Sequence, residues 1–332
     1  MESGLKTLFA GIELRNPIII GSCGRTADIE SCQRLERAGA GAIVLKSLFE
    51  ENIVRQASHL SYVAHTSSPS PHSEESDYLQ GYLRNEALQE YLALIRKCKH
   101  LCHIPIIASI NCYSHSEWGE FACEIESAGA DAIELNIMTI RTSTEYHYGE
   151  LEKLHTDILS SVKAQTKTPI IVKIGTNLTN PVALAEQLYS HGAAAVVLFN
   201  RMYQPDIDIE RMEYTSGWVL SHESDIATPL RWTGCISGAV PQLDIALSGG
   251  VHSGAAIIKA VLAGASAVEV SSAIYRNGDV WITTALKFVN QWLEGHNYNS
   301  LLDIRGALNS RHPEYAERLE RVHFLKYFEN FY

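Results

Sequence analysis

The sequence predicts a single (β/α)8 barrel, and three observations predict it. A small-residue Gly-Ala or Gly-Ala-like turn running into a β-branched stretch recurs four times. A second run, opened by proline in three of the four cases, precedes each of these. Helical periodicity fills the space between the two. Four strand–helix–strand units give eight parallel strands, and regular alternation of strand and helix fits either a doubly wound sheet or a closed barrel. Eight strands with a fourfold echo favour the closed (β/α)8 form, a TIM barrel.

The elements follow in order. Pro17-Ile18-Ile19-Ile20 is strand one, Ile29 to Ala38 the first helix, and Ala42-Ile43-Val44-Leu45-Lys46 strand two. Pro105-Ile106-Ile107-Ala108 opens strand three, Glu117 to Ala128 is helical, and Ala132-Ile133-Glu134-Leu135-Asn136 is strand four. Pro169-Ile170-Ile171-Val172 opens strand five, Pro181 to His191 is helical, and Ala195 to Asn200 is strand six. Leu243 to Leu247 is strand seven, Ala255 to Ala263 is helical, and Ala267 to Ser271 is strand eight. The intervals Pro17 to Gly39, Pro105 to Gly129 and Pro169 to Gly192 agree to within two residues, the length of one strand plus one helix. Each of these glycines is placed to end a helix, and the apolar stretch after it reads as a parallel strand buried on both faces.

About 250 residues build such a barrel, so a chain of 332 residues carries a surplus. It falls in Leu48 to Arg84 after strand two, in Arg201 to Leu230 after strand six, and in a tail after Glu294. Residues 1–295 are therefore read as one barrel domain. Residues 296–332 are read as a helical extension, aromatic at Phe324, Tyr327, Phe328, Phe331 and Tyr332, packed on the barrel or on a partner subunit.

Composition limits the function classes. A hydrophobic fraction of 46% supports a large core. A formal net charge of −11 argues against gripping nucleic acid or an anionic membrane through bulk charge. No apolar run reaches the roughly 18 residues of a membrane span, and Met1 to Asn16 has no apolar signal core, so a cytoplasmic location is expected. Seven scattered cysteines disfavour a disulfide scaffold. Cys98, His100, Cys102 and His103 lack a second ligand pair at zinc spacing, so no metal is expected and the cluster reads as a helix end.

Chemistry collects where the strands end, because those positions face one mouth in a barrel. They read Gly21-Ser22, Lys46, Asn111, Asn136, Lys173, Asn200, Gly249-Gly250 and Ser271-Ser272. Two lysines and three asparagines ending apolar runs are costly to bury without partners. Gly249-Gly250, with Ser253-Gly254 opening a helix, suits a phosphate on a helix N-terminus, with Ser271-Ser272 completing the cradle; a plain tight turn is the alternative. Asparagine amides and a buried lysine suit a flat heteroaromatic ring above that phosphate, and FMN meets both demands better than a sugar phosphate.

The stretches Asn16 to Ser22, Gly39 to Ser47, Glu134-Leu135-Asn136, Val172-Lys173 and Ser248 to Val251 resemble the dihydroorotate dehydrogenase family of flavin barrels, over about residues 5 to 295. Leu198 to Asp208 is closer to the sub-group described as dihydroorotate-dehydrogenase-like. The resemblance implies oxidation of dihydroorotate to orotate in pyrimidine biosynthesis, FMN as cofactor and a homodimer. It implies that Ser22, Lys46, Asn111, Asn136, Lys173 and Asn200 line flavin and substrate, and that Gly249, Gly250, Ser271 and Ser272 hold the phosphate.

The substrate half departs from the family pattern. Thr139 stands where the family has its Cys or Ser base, and Arg141 stands where it has a second asparagine. Arg201 replaces the serine after the strand-six asparagine, and the family's substrate loop after strand two has no counterpart. Thr139 is thus either the base or a loop threonine. Arg141 and Arg201 either bind a carboxylate bidentately or pair on the surface with residues such as Asp206 and Glu210. Two functions remain open: a flavin-dependent dehydrogenase on dihydroorotate or a related anionic substrate, and a flavin-binding barrel that has lost that activity.

Overall fold

The computed structural model describes residues 2–49, 73–111, 117–202 and 204–320. Thr7–Phe9 (β1) and Ile12–Leu14 (β2) form an antiparallel hairpin at the start of the chain. Eight parallel strands then close on themselves: Ile18–Ile20 (β3), Ala42–Val44 (β4), Ile106–Asn111 (β6), Ala132–Asn136 (β7), Ile170–Ile174 (β8), Ala195–Leu198 (β9), Asp244–Ser248 (β12) and Ala267–Val270 (β13). Closure comes from β4 pairing with β6, and a short β5, Leu48–Phe49, continues that edge of β6. The (β/α)8 barrel expected from the repeat is the fold.

The helices outside the barrel are Ile29–Ala38 (α1), Ser73–Leu101 (α2), Glu117–Ala128 (α3), Glu150–Lys163 (α4), Pro181–Ser190 (α5), Ala227–Ala239 (α6), Gly254–Ala263 (α7), Ser272–Asn277 (α8) and Val280–Gly295 (α9). Local chemistry sets their ends. Asp28 caps α1 by accepting the Ser31 amide at 2.8 Å, and Asn180 caps α5 by accepting from Val182 and Ala183, with Pro181 at the first helical position.

Two apolar layers result. One lies between strands and helices and includes Ile18, Leu45, Ile106, Leu135, Val172 and Leu247. The other fills the lower barrel interior, where Ile19, Val44, Ile107, Ile171 and Val197 meet Phe9 and Leu14 of the hairpin. The hairpin is thus a plug at the N-terminal end, leaving the opposite end for chemistry. It is tied down by Thr7 Oγ1 donating to the Ser266 carbonyl at 2.8 Å and by the Ala10 amide donating to Asp244 Oδ2 at 3.0 Å.

The surplus lies where the sequence placed it. After strand two, β5 is followed by residues 50–72, which lie outside the described residues, and α2 takes over from Ser73. After strand six, Pro205–Asp208 (β10) and Glu213–Ser216 (β11) form a second antiparallel hairpin. In the tail, Pro313–Glu320 (α10) lies against α6, where Arg231 Nη1 donates to the Leu319 carbonyl at 2.6 Å. The aromatic end, 321–332, lies outside the described residues. Among the described residues no helix is long and apolar enough to cross a membrane.

Candidate active site

At the C-terminal end of the strands, eight residues singled out from the sequence line one cavity of about 250 Å³: Ser22, Lys173, Asn200, Arg201, Gly249, Gly250, Ser271 and Ser272. They come from strands one, five, six, seven and eight, so barrel closure is what assembles them. Phe199, Val219, Leu220 and Tyr275 supply apolar wall.

One end of the cavity offers donors. Gly249 and Gly250 have φ of +100° and +75°, and a Cβ on Gly250 would sit 2.1 Å from the Ile226 nitrogen, so a larger residue would collide with backbone. The turn leads to Ser253, whose hydroxyl caps α7 by accepting the Ala256 amide at 3.3 Å; the amides of that helix N-terminus carry partial positive charge. Ser272 Oγ accepts the Ser221 amide at 2.9 Å, which leaves its own O–H to donate elsewhere. Ser221 Oγ pairs with His252 Nε2 at 2.9 Å. Burial, helped by the nearby Arg276 charge, holds the His252 pKa below its ordinary value, which favours the neutral imidazole. Neither Ser221 nor His252 was expected from the sequence, because a loop folding back across strand seven brings them together.

The other end holds a buried ionic triad. Lys173 Nζ contacts Glu269 Oε1 and lies 3.9 Å from Glu134 Oε1. Glu134, Lys173 and Glu269 are 1%, 7% and 4% exposed, so the triad is almost wholly out of water. Gly21 makes room for it, since a Cβ there would lie 2.6 Å from Glu269 Oε1. Burial penalises the Lys173 ammonium, but the two glutamates outweigh it and raise its pKa. Burial, reinforced by the Glu269 charge and opposed by Lys173, pushes Glu134 up to about 8. Above the triad, Asn200 Nδ2 donates to Asn136 Oδ1 at 2.5 Å, and the Asn200 amide donates to the Ile174 carbonyl at 2.8 Å.

The raised Glu134 pKa gives a stability prediction. An unfolded glutamate ionises near 4.5, whereas the folded one holds its proton to about 8. Folding therefore takes up a proton between those values, and stability falls as pH rises through that window. Urea unfolding of Glu134→Gln is expected to show a flatter pH dependence across it; a slope equal to wild type would contradict the assignment.

Of the other predicted residues, Lys46, Asn111, Thr139 and Arg141 do not line this cavity. Lys46 is exposed at the end of strand two, its backbone amide donating to the Thr26 carbonyl at 3.1 Å, and Asn111 is half-buried at the end of β6. Thr139 is half-buried, and its carbonyl accepts Asn177 Nδ2 at 2.9 Å. Arg141 is exposed, its Nε 3.9 Å from Glu150 Oε1. Arg201 pairs with Asp225, its Nη1 2.6 Å from Oδ2, not with Asp206 or Glu210. Its Nη2 donates to Gln204 Oε1 at 3.3 Å and the Trp218 carbonyl at 3.0 Å. Among the described residues, no group of three or more His, Cys, Asp or Glu side chains could hold a metal, and Cys98 and Cys102 are buried thiols at the end of α2.

The family model described as dihydroorotate dehydrogenase matches residues 4–293. The chain belongs to the dihydroorotate dehydrogenase family. Similar members are named dihydroorotate dehydrogenase B (NAD(+)), catalytic subunit. The protein of that name from Methanocella arvoryzae is 30% identical over 294 residues, covering 84% of this chain and 90% of the relative. That from Methanosarcina acetivorans is 28% identical over 305 residues, covering 89% and 93%. That from Methanocaldococcus jannaschii is 27% identical over 299 residues, covering 83% and 89%. The family match ends two residues short of the end of α9, so the tail beyond it, including α10, lies outside the matched region.

Proposed function

We propose that this chain is an FMN-dependent oxidoreductase that oxidises dihydroorotate to orotate, the step of pyrimidine biosynthesis named for its family, with an altered substrate half of the site. The observation that carries this reading is the single cavity that joins a donor-rich turn at one end to Lys173 and Asn200 at the other. That pairing fits a phosphate and a ring bearing amide-like edges, the two halves of FMN.

When bound, FMN supplies the hydride acceptor. The chain does the rest. Gly249, Gly250, Ser271 and Ser272 hold the phosphate. Lys173 would supply positive charge that stabilises negative charge on the ring, and Asn136 and Asn200 would offer it amide donors and acceptors. Lys46, Gly21, Ser22 and Asn111 complete the ring and substrate surroundings. Thr139 takes the substrate proton, and Arg141, Arg201 and Asn200 receive the anionic substrate. The hydride and the proton leave adjacent carbons, so both electrons and one hydrogen would go to the cofactor as hydride and the second hydrogen to the base as a proton.

The test is the spectrum of the purified protein and its response to dihydroorotate under anaerobic conditions. A flavin spectrum that bleaches is the expected result. A colourless protein defeats the cofactor assignment. A coloured protein that no dihydropyrimidine bleaches supports the second reading, a flavin-binding barrel acting on another anionic substrate or serving as a non-catalytic binding protein. One observation favours that second reading: Asp225 already neutralises Arg201. A homodimer in the cytoplasm completes the proposal, and sedimentation equilibrium checks the first half of it.

A further inference from the structure

We propose that Ser22, Ser47 and Ser109 form a hydroxyl relay that carries a proton between the cavity and Glu134, making the buried triad a proton store for the reaction above it. This rests on the dehydrogenase reading for its purpose, though not for its test.

The geometry is a continuous chain. Ser109 Oγ donates to Glu134 Oε1 at 3.0 Å, Ser109 and Ser47 hydroxyls are 2.7 Å apart, and Ser47 and Ser22 hydroxyls are 2.9 Å apart. Ser22 lines the cavity, whereas Ser109 is fully buried. The Ser47 amide also donates to Ser22 Oγ at 2.8 Å, which leaves the Ser22 O–H free to point at an acceptor.

Positioning is built into the barrel. The ladder between β4 and β6 ends at Val44 opposite Ile107 and resumes only at Leu48 opposite Ile110. In the gap, Tyr91 of α2 fills the place of a strand: its hydroxyl accepts the Ser109 amide at 2.7 Å and donates to the Ser109 carbonyl at 3.0 Å. The triad supplies the store. Two carboxylates share one ammonium in a site nearly free of water, so one added proton makes the group electrically neutral. Glu134 Oε2 has no hydrogen-bond partner among the described residues, an arrangement that costs less for a neutral acid than for a carboxylate. The other titratable groups felt there are Tyr91 behind Ser109 and, at the rim, Cys23 beside Tyr275.

The transfer balances. A proton released in the cavity binds Ser22 Oγ; Ser22 passes its own proton to Ser47, Ser47 to Ser109, and Ser109 to Glu134. Each hydroxyl breaks one O–H bond and forms another, and Glu134 alone changes charge. In reverse, protonated Glu134 delivers a proton to the cavity and is left as a carboxylate beside Lys173. Dehydrogenation across a C–C bond releases one proton for each hydride transferred, so wherever Glu134 stands as a carboxylate, above its pKa of about 8, the relay gives that proton a destination beyond Thr139.

Infrared spectroscopy of the full-length protein, as purified and without substrate, tests the relay. A protonated-carboxyl band is expected below pH 8 and absent above it, and it is missing in Glu134→Gln. On transfer to heavy water, exchange at this carboxyl is expected to slow about 100-fold in Ser109→Ala and in Ser47→Ala, the low end of what a positioned proton transfer contributes. Ser47→Thr, which keeps the hydroxyl, restores it. A missing band, or exchange in both alanine variants at the wild-type rate, overturns the proposal. Because neither readout uses dihydroorotate, a failed turnover assay defeats the function reading and leaves this result standing.

Discussion

Lys173→Met is expected to lower the unfolding free energy by about 3–5 kcal/mol, the cost of removing one partner from a buried ion pair. Methionine matches the lysine stem in length, so packing is largely kept and the charge is what is lost. Glu134 and Glu269 would then face each other in a dry interior with no cation, and at least one must hold a proton. The penalty is therefore expected to grow with pH. Its electrostatic origin has a direct check: adding Glu269→Gln to Lys173→Met removes one surplus charge and is expected to recover much of the loss. Urea titrations of the three chains decide the matter. A single variant within about 1 kcal/mol of wild type, in the ordinary range of surface substitutions, would mean that the triad is not held as a charged unit.

The second large effect is at Gly250. Alanine there combines a left-handed backbone, costing about 1–3 kcal/mol, with a Cβ placed 2.1 Å from the Ile226 nitrogen. Something must move, and what moves is the 3-10 turn Glu223–Ile226. That turn carries Asp225, the anchor of Arg201, so the disturbance reaches the substrate side as well as the phosphate side. Gly250→Ala is expected to fold but to purify without flavin, and added FMN is expected to bind at least about tenfold more weakly, a loss of about 1.4 kcal/mol or more. Circular dichroism with a flavin fluorescence titration separates loss of the cradle from loss of the fold. Wild-type affinity in a folded Gly250→Ala chain would remove the phosphate from this turn.

Much of this was legible from residues alone, for a plain reason. Strands in a parallel barrel are buried on both faces, so they appear as uninterrupted β-branched runs, and a polar residue at the end of one stands out. Lys173 and Asn136 were conspicuous on that account. Glu134 and Glu269 carried the same signal but were not read as site residues, because each sits inside its run and not at the end. Each stands two positions before a strand-end polar residue, Asn136 and Ser271, and a period of two puts both members of the pair on the inward face. Reading inward positions as well as strand ends would have found them. Ser221, His252 and Asp225 carried no such signal, since their partners are brought in by loops.

The sequence by itself determined the repeat, the closed barrel, the eight positions that meet in one cavity and the membership that the family match bears out. These follow from local period, helix caps and strand composition, which act over a few residues. Tertiary structure alone decided that Lys173 reaches Glu134 on the neighbouring strand and Glu269 three strands away, that Tyr91 completes a broken ladder behind Ser109, and that Arg201 turns to Asp225. Those contacts depend on the stagger and closure of the whole sheet and on the path of long loops. No short stretch of sequence encodes them, because each joins residues whose separation in the chain has no bearing on their separation in space.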